Sequence, residues 1–261
     1  MLKSLSDFKI KLFADGADKA AMLELYANPW IKGFTTNPTL MCKAGIRDYE
    51  AFARDILSCI PDRSISFEVF ADDVQEMYQQ ALEIASWGSN VYVKLPITNT
   101  KGETTLEVAR ALSLAGVKLN VTALLTLDQV RHTVRALTGG APSYISVFAG
   151  RIADTGRDPI PVMETAAQLI HQHPGMELIW ASPRELLNVV QADAIACDII
   201  TATPDVLKKL SLIGKDLVEY SRETVQMFYD DARKSGFSLP GRPGAHPGPR
   251  REPAVAAQGA A

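Results

Sequence analysis

Short apolar runs rich in β-branched residues alternate along this chain with longer stretches in which apolar positions recur every three or four residues. The runs fall at 9–15, 32–37, 64–70, 90–96, 118–124, 144–150, 177–182 and 198–203. The stretches between them, at 17–28, 48–59, 72–86, 103–115, 126–137, 159–172, 183–192 and 204–212, carry the pattern of amphipathic helices. Strand and helix in strict alternation imply parallel strands joined by helical crossovers. Eight such units predict an α/β fold, a (β/α)8 TIM barrel, and a ninth helical pattern at 214–235 predicts an additional C-terminal helix. A doubly wound sheet with a small second domain is the competing architecture. It finds no support, because no G-x-G-x-x-G follows a strand and no P-loop sequence is present.

Local signals sharpen the helix starts. Asp158-Pro159 and Thr203-Pro204 each pair a capping residue with a proline suited to the first helical position. Ser182-Pro183-Arg184-Glu185 has the spacing of a capping box. From Gly236 onward, Pro, Gly and Ala dominate without an apolar period. The expected organisation is therefore a barrel domain with its extra helix over 1–235 and a disordered tail over 236–261.

Composition narrows the function classes. Net charge is −3 and no basic stripe appears, so neither nucleic acid nor a membrane surface is an expected partner. No run of roughly 18 apolar residues occurs, and the N-terminal stretch lacks the apolar core of a signal peptide. Cys42, Cys59 and Cys197 are odd in number and far apart, which fits a reducing, cytoplasmic location and no metal set. His171 and His173 are two apart and do not share a helical face.

In a barrel, catalytic groups come from the C-terminal ends of several strands. The polar residues late in the strand runs are Asp15, Asn37, Glu68, Lys94, Asn120, Thr122, Ser146 and Ser182, and Arg151 follows the sixth run. Lys94 stands inside VYVKLP, where apolar neighbours should bury it. Burial favours a neutral amine, and a neutral amine can attack a carbonyl to form a Schiff base. The plainer reading is a lysine that snorkels or pairs with a carboxylate at the rim. Asp15 and Glu68 form a candidate acid/base pair, although Asp15 beside Gly16 also reads as a turn residue. Arg151 and Arg184 have the chemistry of a phosphate clamp, or of surface ion pairs.

The same residues carry a resemblance. TTNPTL (35–40), VYVKLPIT (91–98), LNVTALLT (119–126), SVFAGRI (146–152) and ASPRE (181–185) together resemble the transaldolase family, over essentially all of 9–235. The resemblance implies a (β/α)8 barrel without metal or organic cofactor that moves a dihydroxyacetone unit from a ketose phosphate to an aldose phosphate. It implies that Lys94 forms the Schiff base and Asp15 takes the hydroxyl proton during carbon–carbon cleavage. It implies that Glu68 works through a water held by Thr122. Asn37, Asn120 and Ser146 would hold the substrate, and Arg151, Ser182 and Arg184 its phosphate. Departures from the family pattern occur at Thr39, at Val147-Phe148-Ala149 and at Pro183, and bear on the acceptor more than on the reaction. A fructose-6-phosphate aldolase-like enzyme that releases dihydroxyacetone is the alternative within the superfamily. That group tends to have glutamine at the position of Glu68 and tyrosine at that of Phe148, which would line the substrate site here. A sugar-phosphate-binding barrel without turnover is the alternative from another class. Sugar phosphates are the expected partners, and a homo-oligomer is compatible with the extra helix.

Overall fold

The computed structural model describes residues 5–239. Eight strands close into one parallel barrel in chain order: β1 Lys11–Asp15, β2 Ile31–Thr35, β3 Ser64–Glu68, β4 Val91–Pro96, β5 Leu119–Leu124, β6 Ser143–Val147, β7 Met176–Trp180 and β8 Ile199–Ala202. β1 pairs with both β2 and β8, so the sheet has no edge. The fold is the (β/α)8 barrel that the alternating pattern predicts.

The helices that follow the strands are α1 Lys19–Tyr26, α2 Pro38–Lys43, α3 Tyr49–Cys59, α4 Val74–Ser86, α5 Leu106–Leu114, α6 Leu127–Leu137, α7 Ala149–Asp154, α8 Ile160–Ile170, α9 Leu187–Ala194 and α10 Pro204–Leu207. Two of them, α2 and α7, are additions to the expected pattern. α2 starts where Asn37 turns out of the second run and accepts the Leu40 N–H at 3.0 Å. The sixth run ends early, because Phe148 leaves the extended conformation and Ala149 opens α7.

The caps are partly as read. Asp158 accepts the Ile160 N–H at 2.9 Å at the start of α8, whereas Thr203 precedes α10 without a side-chain cap, and a reciprocal capping box not expected from the sequence joins Thr126 and Gln129 on α6. The expected box at Ser182 does not form. Ser182 adopts φ +61°, and the Asn188 side chain instead accepts the N–H groups of Arg184 and Glu185. Helix α9 accordingly begins at Leu187, later than the run 183–192 implies.

The barrel is one of two compact units, divided at Ile213/Gly214. The second contains α11, Leu217–Ser235, the additional helix expected from the sequence. Asp216 caps it by accepting the Glu219 N–H, and Gly236 ends it in the left-handed conformation. Apart from its first four residues, the tail expected over 236–261 lies outside the described residues.

Two apolar clusters hold the barrel. The larger lies between the strands' outer faces and the helices and includes Leu12, Phe34, Phe67, Val93, Leu95, Val121 and Ile145. The smaller fills the barrel interior with Phe13, Tyr144, Ile179 and Ile199, with Tyr92 against it. Tyr92 stacks on Tyr144 at a centroid distance of 3.9 Å, and Phe13 meets Tyr144 edge-on at 5.7 Å. Gly33 makes room for this plug, since a Cβ there would lie 2.5 Å from the Phe13 ring. Gly33→Ala is expected to lower the unfolding free energy by about 1–3 kcal/mol, as overpacking of a filled core does. The urea midpoint reads the loss, and adding Phe13→Leu is expected to recover part of it.

Candidate active site

Parallel register sets the polar layer above this plug. Glu68 pairs with Lys94 across β3 and β4, and Lys94 pairs with Asn120 across β4 and β5. The three side chains therefore stand in one row on the inner wall. On the other side of the barrel Asp15 pairs with Thr35. Every residue singled out from the sequence lines one cavity of about 580 Å³ at the C-terminal mouth: Asp15, Asn37, Glu68, Lys94, Asn120, Thr122, Ser146, Phe148, Arg151, Ser182 and Arg184. This is the face at which the fold presents its chemistry.

Lys94 is 6% exposed. Its ammonium donates to the Thr36 carbonyl at 2.9 Å and lies 3.1 Å from Glu68 Oε2. The rim carboxylate of the plainer reading is thus present, but the amine points into the cavity rather than out to bulk solvent. Tyr49 OH donates to the Glu68 carbonyl at 2.7 Å and fixes the strand end from outside. Asp15 accepts from Thr35 Oγ1 at 2.7 Å. Burial pushes its carboxyl above the usual carboxylate range, against the opposing pull of the Lys94 charge and the Thr35 hydroxyl.

Asn120 is locked from both sides. It donates to Ser66 Oγ at 3.0 Å and accepts from Ser146 Oγ at 2.7 Å. Thr122 differs, because its buried Oγ1 makes no hydrogen bond among the described residues. The β5–β6 register shifts between Val121 and Leu124, and Ala123 takes φ +64°. This irregularity lets Thr122 and Ala123 both line the cavity. Asn37 faces the cavity while its Oδ1 caps α2.

The mouth is cationic on one side. Arg151, on α7, sits 5.8 Å from the Phe148 ring centroid. Arg184 forms a two-point ion pair with Asp154, with Nε 3.0 Å from Oδ1 and the second contact through Nη2. Both readings of Arg184 thus meet in one residue, which lines the cavity and is ion-paired. The two arginine-bearing segments touch at Gly150, whose N–H donates to the Ala181 carbonyl. A Cβ on Gly150 would lie 1.5 Å from the Ser182 carbonyl oxygen.

Sequence reasoning passed over four residues here: Thr35, Thr36, Ser66 and Thr201. Thr35 and Thr201 line the cavity, Thr36 offers its carbonyl to Lys94, and Ser66 holds Asn120. Threonine and serine in a strand are common enough to carry no signal. The spacing of two between Ser66 and Glu68 was the one available hint.

A buried amine, two carboxylates, amides and arginines gathered at the C-terminal mouth place the chain among the (β/α)8 barrels with a polar, charged site at that face. Comparison with known proteins makes this specific. The chain matches the family model for transaldolase/fructose-6-phosphate aldolase over residues 12–239, and it belongs to that family. A protein named "probable transaldolase" from Dehalococcoides mccartyi is 36% identical over 182 residues, covering 69% of this chain and 80% of the relative. A second of that name, from a Thermoanaerobacter species, is 32% identical over 231 residues, covering 88% of this chain and all of the relative. Among solved structures, 3-hexulose-6-phosphate synthase from Salmonella typhimurium superposes with a TM-score of 0.53 at 13% identity. It covers 78% of this chain and 98% of its own, a likeness of fold alone.

Gly150→Ala is expected to cost at least about 1–3 kcal/mol, because backbone rather than a movable side-chain tip occupies the space. A lowered midpoint in thermal unfolding checks this.

Proposed function

We propose that this protein is a transaldolase that moves a dihydroxyacetone unit from a ketose phosphate, such as fructose 6-phosphate or sedoheptulose 7-phosphate, to an aldose phosphate. The observation that carries the reading is Lys94, a buried amine aimed into the cavity with a carboxylate 3.1 Å away. Lys94 must lose a proton before it attacks, and Glu68 is within reach to accept it. The free amine adds to the donor's keto carbon. Loss of water from the carbinolamine leaves an iminium, with protons relayed by Glu68. Thr122 Oγ1, buried and without a hydrogen bond among the described residues, supports a role in holding the relaying water.

Asp15 then takes the proton from the hydroxyl on the fourth carbon. The bond between the third and fourth carbons breaks, and its electron pair flows into the iminium to give an enamine. The aldose phosphate leaves. The bound enamine attacks an incoming aldehyde, and the same steps in reverse release the new ketose. Asn37, Asn120 and Ser146 are assigned to the substrate hydroxyls, with Phe148 as an apolar wall beside them. Arg151, Ser182 and Arg184 are assigned to the phosphate, which suits guanidinium groups. None of these steps calls on a metal or an organic cofactor.

The family model also covers enzymes that release dihydroxyacetone. The Glu68–Lys94 contact and the phenylalanine at 148 favour transfer. Borohydride added with fructose 6-phosphate is expected to fix a three-carbon adduct on Lys94, read by peptide mass, and Lys94→Met is expected to abolish both adduct and turnover. An adduct elsewhere, or none, ends the reading. With erythrose 4-phosphate present, sedoheptulose 7-phosphate should form in excess of free dihydroxyacetone; the reverse ratio identifies an aldolase. Glu68→Gln is expected to slow transfer by about 10²-fold or more, as loss of a general acid/base does.

A further inference from the structure

On the β8–β1–β2 side of the cavity lies a contact that the reaction above leaves unused. Thr35 Oγ1 touches both Asp15 Oδ1, at 2.7 Å, and Thr201 Oγ1. Both threonines are buried and line the cavity. Barrel closure brings them together, because β1 pairs with β2 on one side and with β8 on the other. Asp15 is thereby set beside Thr35, and Phe13 beside Thr201.

Each hydroxyl has one proton to donate. Thr35 can point its proton at Asp15 or at Thr201, not at both. If Asp15 is protonated and donates to Thr35, then Thr35 donates to Thr201, and the Thr201 proton meets no protein acceptor among the described residues. If Asp15 is ionised, Thr201 donates to Thr35 and Thr35 donates to Asp15. Every proton then has an acceptor, and the chain ends on a negative charge. Hydrogen bonds in such a chain polarise one another, most strongly toward an ion.

We propose that Thr201 is a positioning residue: its hydroxyl donates to Thr35, aims the Thr35 proton at Asp15, and so holds Asp15 as the ionised base that carbon–carbon cleavage needs. The proposal rests on the role assigned to Asp15 in the preceding section. Burial acts the other way on this carboxyl, and the Thr35 hydroxyl is one of two groups that oppose it, the Lys94 charge being the other. The charged groups sharing Asp15's surroundings are Asp18 at the start of α1, Lys43 at the end of α2, Glu68 and Lys94 on the wall, and Arg151 and Arg184 across the mouth. Thr201→Val leaves all six in place and removes only the hydroxyl, at nearly constant shape.

The test is a titration of enzyme labelled with ¹³C at the aspartate carboxyl carbon, the Asp15 resonance being identified by its loss in Asp15→Asn. Thr201→Val is expected to raise the Asp15 pKa by about half a unit to one unit, the scale of one hydrogen bond. Thr201→Ser, which restores the hydroxyl, is expected to return it close to the wild-type value. If Thr201→Val does not fold, Thr201→Ala takes its place. A wild-type pKa in the variant without the hydroxyl overturns the proposal, and so does a serine variant that titrates like valine. In the same proteins the acid limb of kcat against pH is expected to move up with the carboxyl, with KM for fructose 6-phosphate changing less than kcat. Absence of turnover in the wild type overturns the transaldolase reading, and the carboxyl titration still decides the role of Thr201.

Discussion

Taking a lysine ammonium out of water costs several kcal/mol unless the protein supplies partners in good geometry. In this barrel the partners are the Glu68 carboxylate and the Thr36 carbonyl, and neither comes from the lysine's own strand. The contact therefore exists only because β3 and β4 are in the register that sets Glu68 beside Lys94. A slip of one residue in either strand would turn that strand's member of the pair to the outer face. A closed sheet resists that slip, since moving one strand disturbs both its neighbours all the way round. The carboxylate's own strand end is secured by Tyr49, whose hydroxyl holds the Glu68 carbonyl and whose ring meets Phe67, Phe70 and Trp87. An aromatic cluster packed outside the barrel wall and a buried ion pair are thus parts of one arrangement.

The interior is layered for the same reason. Below the polar row, Phe13, Tyr92, Tyr144, Ile179 and Ile199 fill the barrel. The charged groups above this floor share one cavity at the barrel mouth. Charges at such a depth interact more strongly than in bulk water. The raised carboxyl of Asp15 shows the cost of the same environment. A plug of large rings needs at least one wall position without a side chain, and Gly33 is that position.

The barrel was legible because parallel strands buried on both faces read as continuous apolar runs, and because the helices between them keep their period. The short helices α2 and α7 escaped notice, being six residues each and too brief to show a period. The charged and amide members of the site were legible for a different reason: Lys94, Glu68 and Asn120 are costly in a strand and so stand out. Thr35, Ser66 and Thr201 were not legible, since hydroxyl residues are ordinary in strands. What distinguishes them is whom they touch across strands, and Thr201 reaches Asp15's neighbour only through closure of β8 on β1. The serine at 182 had the spacing of a helix cap, but its left-handed backbone serves a turn above the cavity.

That turn and the bulge in β5 show where the fold carries strain. Three non-glycine residues among those described have positive φ: Ala123, Ser182 and Ala196. Each such conformation costs an alanine or serine about 1–2 kcal/mol. Two of the three line the cavity, and each shapes it. At Ala123 the regular pairing of β5 with β6 is interrupted, and Thr122 keeps at the cavity wall a hydroxyl with no hydrogen bond among the described residues. Ser182 brings its carbonyl hard against Gly150 and joins the segments bearing Arg151 and Arg184. Strain persists where the surroundings over-determine it. Here the filled floor and the fixed register do so, and they hold the polar groups of the mouth in a geometry that local backbone preference alone would not choose.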